Sequence, residues 1–198
     1  MNTIKKVRNL ILFLIAVTAG LEKLSAQDLI LSFDTRTSRS AQKSSLKVLV
    51  SSDFNEKYDK QSVESAKWTD VTENAQFAQG GVKVSSGDID LSNFSRSKHI
   101  YIAFKYTASK DNKYVQPGWE ITNLKLLHKA GNETKSIITD PRKAWHVVPI
   151  LNAVNTPQVN WILNVGGLIL RADGLNADPV EQWVITKKID LQKSELIP

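Results

Sequence analysis

Apolar and polar positions along this chain alternate mostly with a period of two. In Tyr101-Ile102-Ala103-Phe104-Lys105-Tyr106, Tyr101, Ala103 and Lys105 fall on one face and Ile102, Phe104 and Tyr106 on the other. Such alternation, with aromatic and β-branched residues, marks a strand. Leu46-Lys47-Val48-Leu49-Val50-Ser51 repeats it with Leu46, Val48 and Val50 on one face, and Trp119 to Leu126 repeats it again. Further strands are expected over 28–34, 68–72, 82–85, 88–92, 145–151, 160–163, 167–172, 182–185 and 188–192.

Between these segments lie polar stretches rich in turn residues. Examples are the Ser-rich run 35–45, the long connection 53–65, the run 109–118 ending in Pro117-Gly118, and Asp173-Gly174. Glycine, proline, asparagine and aspartate supply the backbone angles that tight turns need. Helical periodicity is almost missing; a weak spacing near Thr72 to Gln79 allows one short helix. Short strands separated by turns predict an all-β fold, an antiparallel β-sandwich.

The N-terminus reads differently. Lys5, Lys6 and Arg8 precede the apolar run Leu10 to Ala19, and Leu24-Ser25-Ala26 offers a small residue at a cut before Gln27. Those are the three parts of a secretory signal peptide. The apolar run is shorter than the roughly 20 residues that span a bilayer. The expected organisation is a signal peptide over 1–26 and one domain over 27–198, secreted, periplasmic or on the outer-membrane surface. No integral membrane segment is expected once the leader is cut.

Charge and composition narrow the function classes. The chain carries a formal net charge of +6, and its first 26 residues hold four cations against one acid. The remainder keeps only a mild excess, too small for a nucleic-acid footprint. There is no cysteine, so disulfides, thiol catalysis and a lipid-bearing N-terminal cysteine are excluded. The three histidines, His99, His128 and His146, are far apart in sequence and belong to no metalloprotease or nucleophile-elbow motif. No catalytic residue is assigned.

A few groups could carry binding chemistry. Asp53, Asn55 and Asp59, with Glu56 and Tyr58 between them, offer the oxygen ligands that calcium prefers, although their spacing is not that of an EF-hand loop. A solvated acidic loop accounts for them better. Trp68, Trp119, Trp145, Trp161 and Trp183 could form a platform for sugar rings, but all lie in or beside strands, where a core role competes. Asp88 and Asp90 could act as a carboxylate pair in glycoside hydrolysis, or simply hydrogen-bond a turn. Arg36, Arg39 and Lys43 could meet an acidic partner.

Five blocks carry a resemblance. They are Leu46 to Phe54, Trp68 to Thr72, Ser86 to Ser92, Tyr101 to Tyr106 and Trp119 to Asn123. In this order the chain resembles the choice-of-anchor J and cleaved-adhesin family, secreted jelly-roll domains similar to gingipain adhesin domains. The resemblance implies a galactose-binding-like jelly-roll and makes a structural calcium ion an expected cofactor. The family's opening segments are missing before Leu29, yet their like follows at Gly167 to Gly174 and Gln182 to Leu191. The family halves therefore stand in permuted order: 27–127 resembles the second half, 128–144 is a linker, and 145–198 resembles the first half. Either the domain closes on itself within one chain, or the chain is an out-of-phase piece of a tandem array.

The resulting expectation is a secreted, non-catalytic binding module for a glycan or a protein at the bacterial surface. Ligand contacts are expected on the loops 53–59 and 109–116. The competing classes are a small glycoside hydrolase using an Asp/Glu pair, and a structural remnant with no ligand.

Overall fold

The period-two segments pair into two antiparallel sheets in the computed structural model of the chain. The structure describes residues 28–37, 46–108, 118–130, 133–136, 141–151, 160–164, 166–171 and 180–192. The expected leader, Arg39, Lys43 and the loop Ser109 to Gln116 lie outside them.

The first sheet runs β10 (Asn160–Asn164), β11 (Gly167–Arg171), β7 (Trp119–Ala130), β1 (Asp28–Thr37), β4 (Val84–Ser85). Strand β5 (Ile89–Asp90) also pairs with β1, and β8 (Glu133–Ser136) pairs with β7. The second sheet runs β3 (Thr69–Asp70), β2 (Leu46–Ser51), β6 (His99–Ala108), β12 (Val180–Thr186), β9 (Trp145–Leu151), with β13 (Ile189–Asp190) on β6. Two short helices, α1 (Lys60–Ser65) and α2 (Pro141–Ala144), complete the described elements together with 3-10 turns at Thr72–Asn74 and Ser92–Phe94. The expected helix near Thr72 to Gln79 is thus only that first turn, and a true helix stands inside the connection expected to be a loop.

Alternation dictates how the sheets stack. Leu29, Leu31 and Phe33 of β1 and Ile102, Phe104 and Tyr106 of β6 point into the space between them and are fully buried. Phe33 meets Phe104 edge to face with centroids 5.1 Å apart. Burying each such side chain contributes about 1.5–3 kcal/mol. The molecule is an all-β sandwich, as the sequence pattern requires.

The last third of the chain serves both sheets. Strand β12 lies inside the second sheet, with Val184 opposite both Phe104 of β6 and Val147 of β9. Strand β11 extends the first sheet, with Leu168 opposite Ile121. The stretch 128–144, expected as a linker, carries the end of β7, all of β8 and α2.

At one end of the sandwich a row of residues in each sheet lies in register. Thr37 lies opposite Trp119, Trp119 opposite Leu170, and Leu170 opposite Trp161. In the second sheet Leu46 lies opposite Tyr106 and Tyr106 opposite Gln182. The Trp161 indole N–H donates to the Gln182 carbonyl at 3.5 Å, which ties the two rows across the sandwich.

Candidate functional site

The outer face of the second sheet carries a core of its own. After β2 the chain folds back over that face as a lid running from Asp53 to Trp68. Phe54 and Val63 from the lid are buried with Leu49, Tyr101, Ala103, Val148, Trp183 and Ile185 of the sheet, and Tyr58, Ala66 and Trp68 pack against them. The Phe54 ring lies 5.2 Å from Tyr101 and 5.4 Å from Tyr58. The connection 53–65, polar in sequence and expected to present ligand-binding groups, is a cover held by its few apolar residues.

Polar residues of the lid shape its backbone. The Ser51 hydroxyl donates to Asp53 Oδ1 at 2.8 Å, and the same oxygen accepts the Lys67 backbone N–H at 2.9 Å, closing the lid's two ends. Asn55 Oδ1 accepts the Lys57 N–H at 3.0 Å, and its amide donates to Ser62 Oγ at 3.3 Å. Asp59 caps α1, its Oδ1 accepting the Ser62 N–H at 2.8 Å. Bonds from the Ser62 backbone and hydroxyl hold the Asp59 carboxyl below the usual range. Each expected calcium ligand therefore has a backbone partner of its own. Among the described residues, no group of three or more His, Cys, Asp or Glu is placed to hold a metal.

The lid is pinned at its tip. Glu56 sits at φ 64°, a left-handed conformation that a non-glycine residue adopts at a cost. Its carboxylate takes the Lys188 ammonium at 2.7 Å and the Tyr101 hydroxyl at 2.8 Å. Those two bonds, Lys188 first, hold the Glu56 carboxyl below its ordinary value. The Tyr58 hydroxyl donates to the Thr186 carbonyl at 3.2 Å, and its ring stacks on His146 at 3.8 Å. Burial, with the nearby Glu56 charge, pushes the Tyr58 phenol up to about 12. Burial and then the Lys187 charge push His146 down.

Beside the lid no further described element covers the same sheet face, and here side chains of chemical interest converge. Trp68, half-buried at the lid's edge, lies 5.2 Å from Trp183 and donates its indole N–H to the Val63 carbonyl at 2.9 Å. Lys105 stands over the Trp183 ring at 5.1 Å and bridges to Glu181 Oε2 at 2.9 Å, each side chain of the pair being 25% exposed. The other oxygen of Glu181 accepts the Trp183 indole N–H at 2.7 Å. Across β2, Lys47 bridges to Asp70 Oδ2 at 2.7 Å, and Asp70 Oδ1 accepts the Thr72 N–H at 3.0 Å. Partial burial pushes the Asp70 carboxyl up, and the bonds from Lys47 and Thr72 outweigh it, leaving it below its ordinary value. An aromatic surface next to fixed donors and acceptors can stack a ring and hold its polar substituents.

The remaining expected groups are scattered. Trp119, Trp145, Trp161 and Trp183 are buried, so the five tryptophans build no common surface platform. Asp90 Oδ1 accepts the Ser92 N–H at 2.8 Å, a bond two residues on that turns the chain out of β5; Asp88 is exposed just before that strand. Arg36 pairs loosely with Glu120 at 4.0 Å on the outer face of the other sheet. The Lys105–Glu181 bridge was not readable in advance, because nothing local links β6 to β12. Only Lys105 had a signal, a charge on the alternation that also carries Tyr101.

A family model described as Domain of unknown function (DUF5017) matches residues 22–145, more than half of the chain. The chain belongs to the DUF5017 family. No curated protein and no solved structure matches it. The residues that match the DUF5017 model supply Lys47, Trp68, Asp70 and Lys105 to this row. Trp183 and Glu181 come from β12, beyond the match.

Proposed function

We propose that this DUF5017 chain is an exported, non-catalytic binding module that recognises a glycan at the bacterial cell surface. The observation that carries the reading is the half-buried Trp68, packed on the buried Trp183, beside the partly exposed Lys105–Glu181 bridge on the outer face of the second sheet. The half-buried Trp68 offers an apolar ring face for a pyranose. Ammonium and carboxylate groups, already fixed in place, meet its hydroxyls with little further loss of side-chain freedom. A flat protein partner would gain less from so narrow a row, so the glycan is favoured over a surface protein. The leader over 1–26 supports export, and the likeness of five blocks to choice-of-anchor J domains supports a surface role for a jelly-roll.

The test is a glycan array screened with the chain from Gln27 onward, followed by calorimetric titration of the best binder. Trp68→Ala and Lys105→Ala are expected to weaken that binding at least tenfold while both variants still melt in one cooperative transition, Trp68→Ala at a lower midpoint because its ring packs on Phe54 and Trp183. Binding that neither substitution alters places the ligand elsewhere, and hydrolysis of the bound glycan overturns the non-catalytic reading.

A further inference from the structure

We infer that the ligand of this row is a neutral glycan and not an acidic one. The inference rests on the glycan reading above and names the class of sugar. Lys47 of β2 and Lys105 of β6 stand directly opposite each other in the sheet register. Like charges facing across a strand pair repel, and two bare ammonium groups there would invite an anion. Here each is drawn outward to its own acid, Lys47 to Asp70 at 2.7 Å and Lys105 to Glu181 at 2.9 Å.

Both acids are in turn held at both oxygens. Asp70 accepts the Thr72 N–H through Oδ1, and Glu181 accepts the Trp183 indole through Oε1. A carboxylate or sulfate arriving at the lysines must displace an acid that is bonded on its other side. The four charges also cancel. Arranged acid, base, base, acid over β3, β2, β6 and β12, they cross three inter-strand spacings, about 14 Å. Each sugar hydroxyl is both donor and acceptor, so a chain of neutral sugars can meet ammonium and carboxylate in turn without adding charge.

The test titrates the chain with neutral xylan, galactan and β-glucan oligosaccharides, and with uronate- and sulfate-bearing oligosaccharides of the same length, at 50 and 500 mM sodium chloride (about 13 and 4 Å of screening length). The expected result is a neutral binder whose Kd changes less than about twofold with salt, and acidic probes at least tenfold weaker. Glu181→Gln releases Lys105 and is expected to improve binding of the acidic probe severalfold. If that variant does not fold, Asp70→Asn makes the same test at Lys47. An acidic oligosaccharide that binds wild type tightest and loses affinity tenfold in salt overturns the inference while the glycan reading stands. Binding of no oligosaccharide overturns the glycan reading, and this inference with it.

Discussion

Tyr106 carries its hydroxyl into the space between the sheets, where it is fully buried and has no hydrogen-bonding partner among the described residues. Burial pushes its phenol well above the ordinary value, and no neighbour offsets the shift. A buried hydroxyl left unpaired costs about 1–3 kcal/mol. Tyr106→Phe is therefore expected to be neutral or to stabilise by up to about 1 kcal/mol, which raises the melting temperature by about 2–4 °C in a domain of this size. Destabilisation by that variant would show that the hydroxyl has a partner. His146 gives a second prediction. Its folded value lies below the ordinary 6.5, so the folded state binds the proton less readily than the unfolded chain. The stability it contributes is complete above 6.5 and is lost as pH falls below it. His146→Phe keeps a ring against Tyr58 and removes the titration, so the loss of melting temperature between pH 7 and 5 is expected to become shallower. An unchanged slope assigns the loss to other groups. Glu56, whose carboxyl lies below its ordinary 4.5, gives up its contribution only in more acidic solution. Single-residue roles were partly legible in the sequence. Alternation put Tyr106 and Phe104 on one face with Ile102, but which face turns inward, the burial of the Tyr106 hydroxyl and the His146–Tyr58 stack depend on segments distant in the chain.

The lid is the element the sequence disguised. Most of residues 53 to 68 are polar, and helix periodicity cannot be read in six residues of α1. The local signal was Asp59 followed by Ser62, an N-cap and the N–H it bonds, at the spacing of a helix start. What fixes the lid is Phe54, buried among Tyr58, Trp68 and Tyr101. Phe54→Ala is expected to destabilise the protein by about 3–5 kcal/mol and to increase amide exchange across 53–68 beyond that of β1 and β7. A loss below about 1 kcal/mol would mean that the lid is not held by this ring. The exposed Glu56–Lys188 bridge contributes little by comparison. Strands were far easier to read than the lid. Segments expected at 145–151, 160–163 and 182–185 correspond to β9, β10 and β12 within two residues at each end. Period-two alternation is local, whereas the choice of a neighbour in the sheet is not. That is why the sequence showed β6 and β12 but not that they pair.

At the scale of the molecule the two sheets share one chain unequally. The residues that match the DUF5017 family end at 145, while β10 to β13 and most of β9 follow. Those later strands put Trp161, Leu168, Leu170, Val180, Val184 and Ile189 into the main core and Trp183 and Ile185 beneath the lid. Without them β6 loses its β12 neighbour, leaving an open edge in the middle of the second sheet and apolar faces in water. One chain thus closes the sandwich on itself, and thermal unfolding tests this most directly. Residues 27–198 are compared with a chain ending after Ala144. The full chain is expected to melt in one cooperative transition, and the shortened chain to show none. A shortened chain that melts cooperatively at the same midpoint would contradict the account, because the last third would then be no part of the folded core.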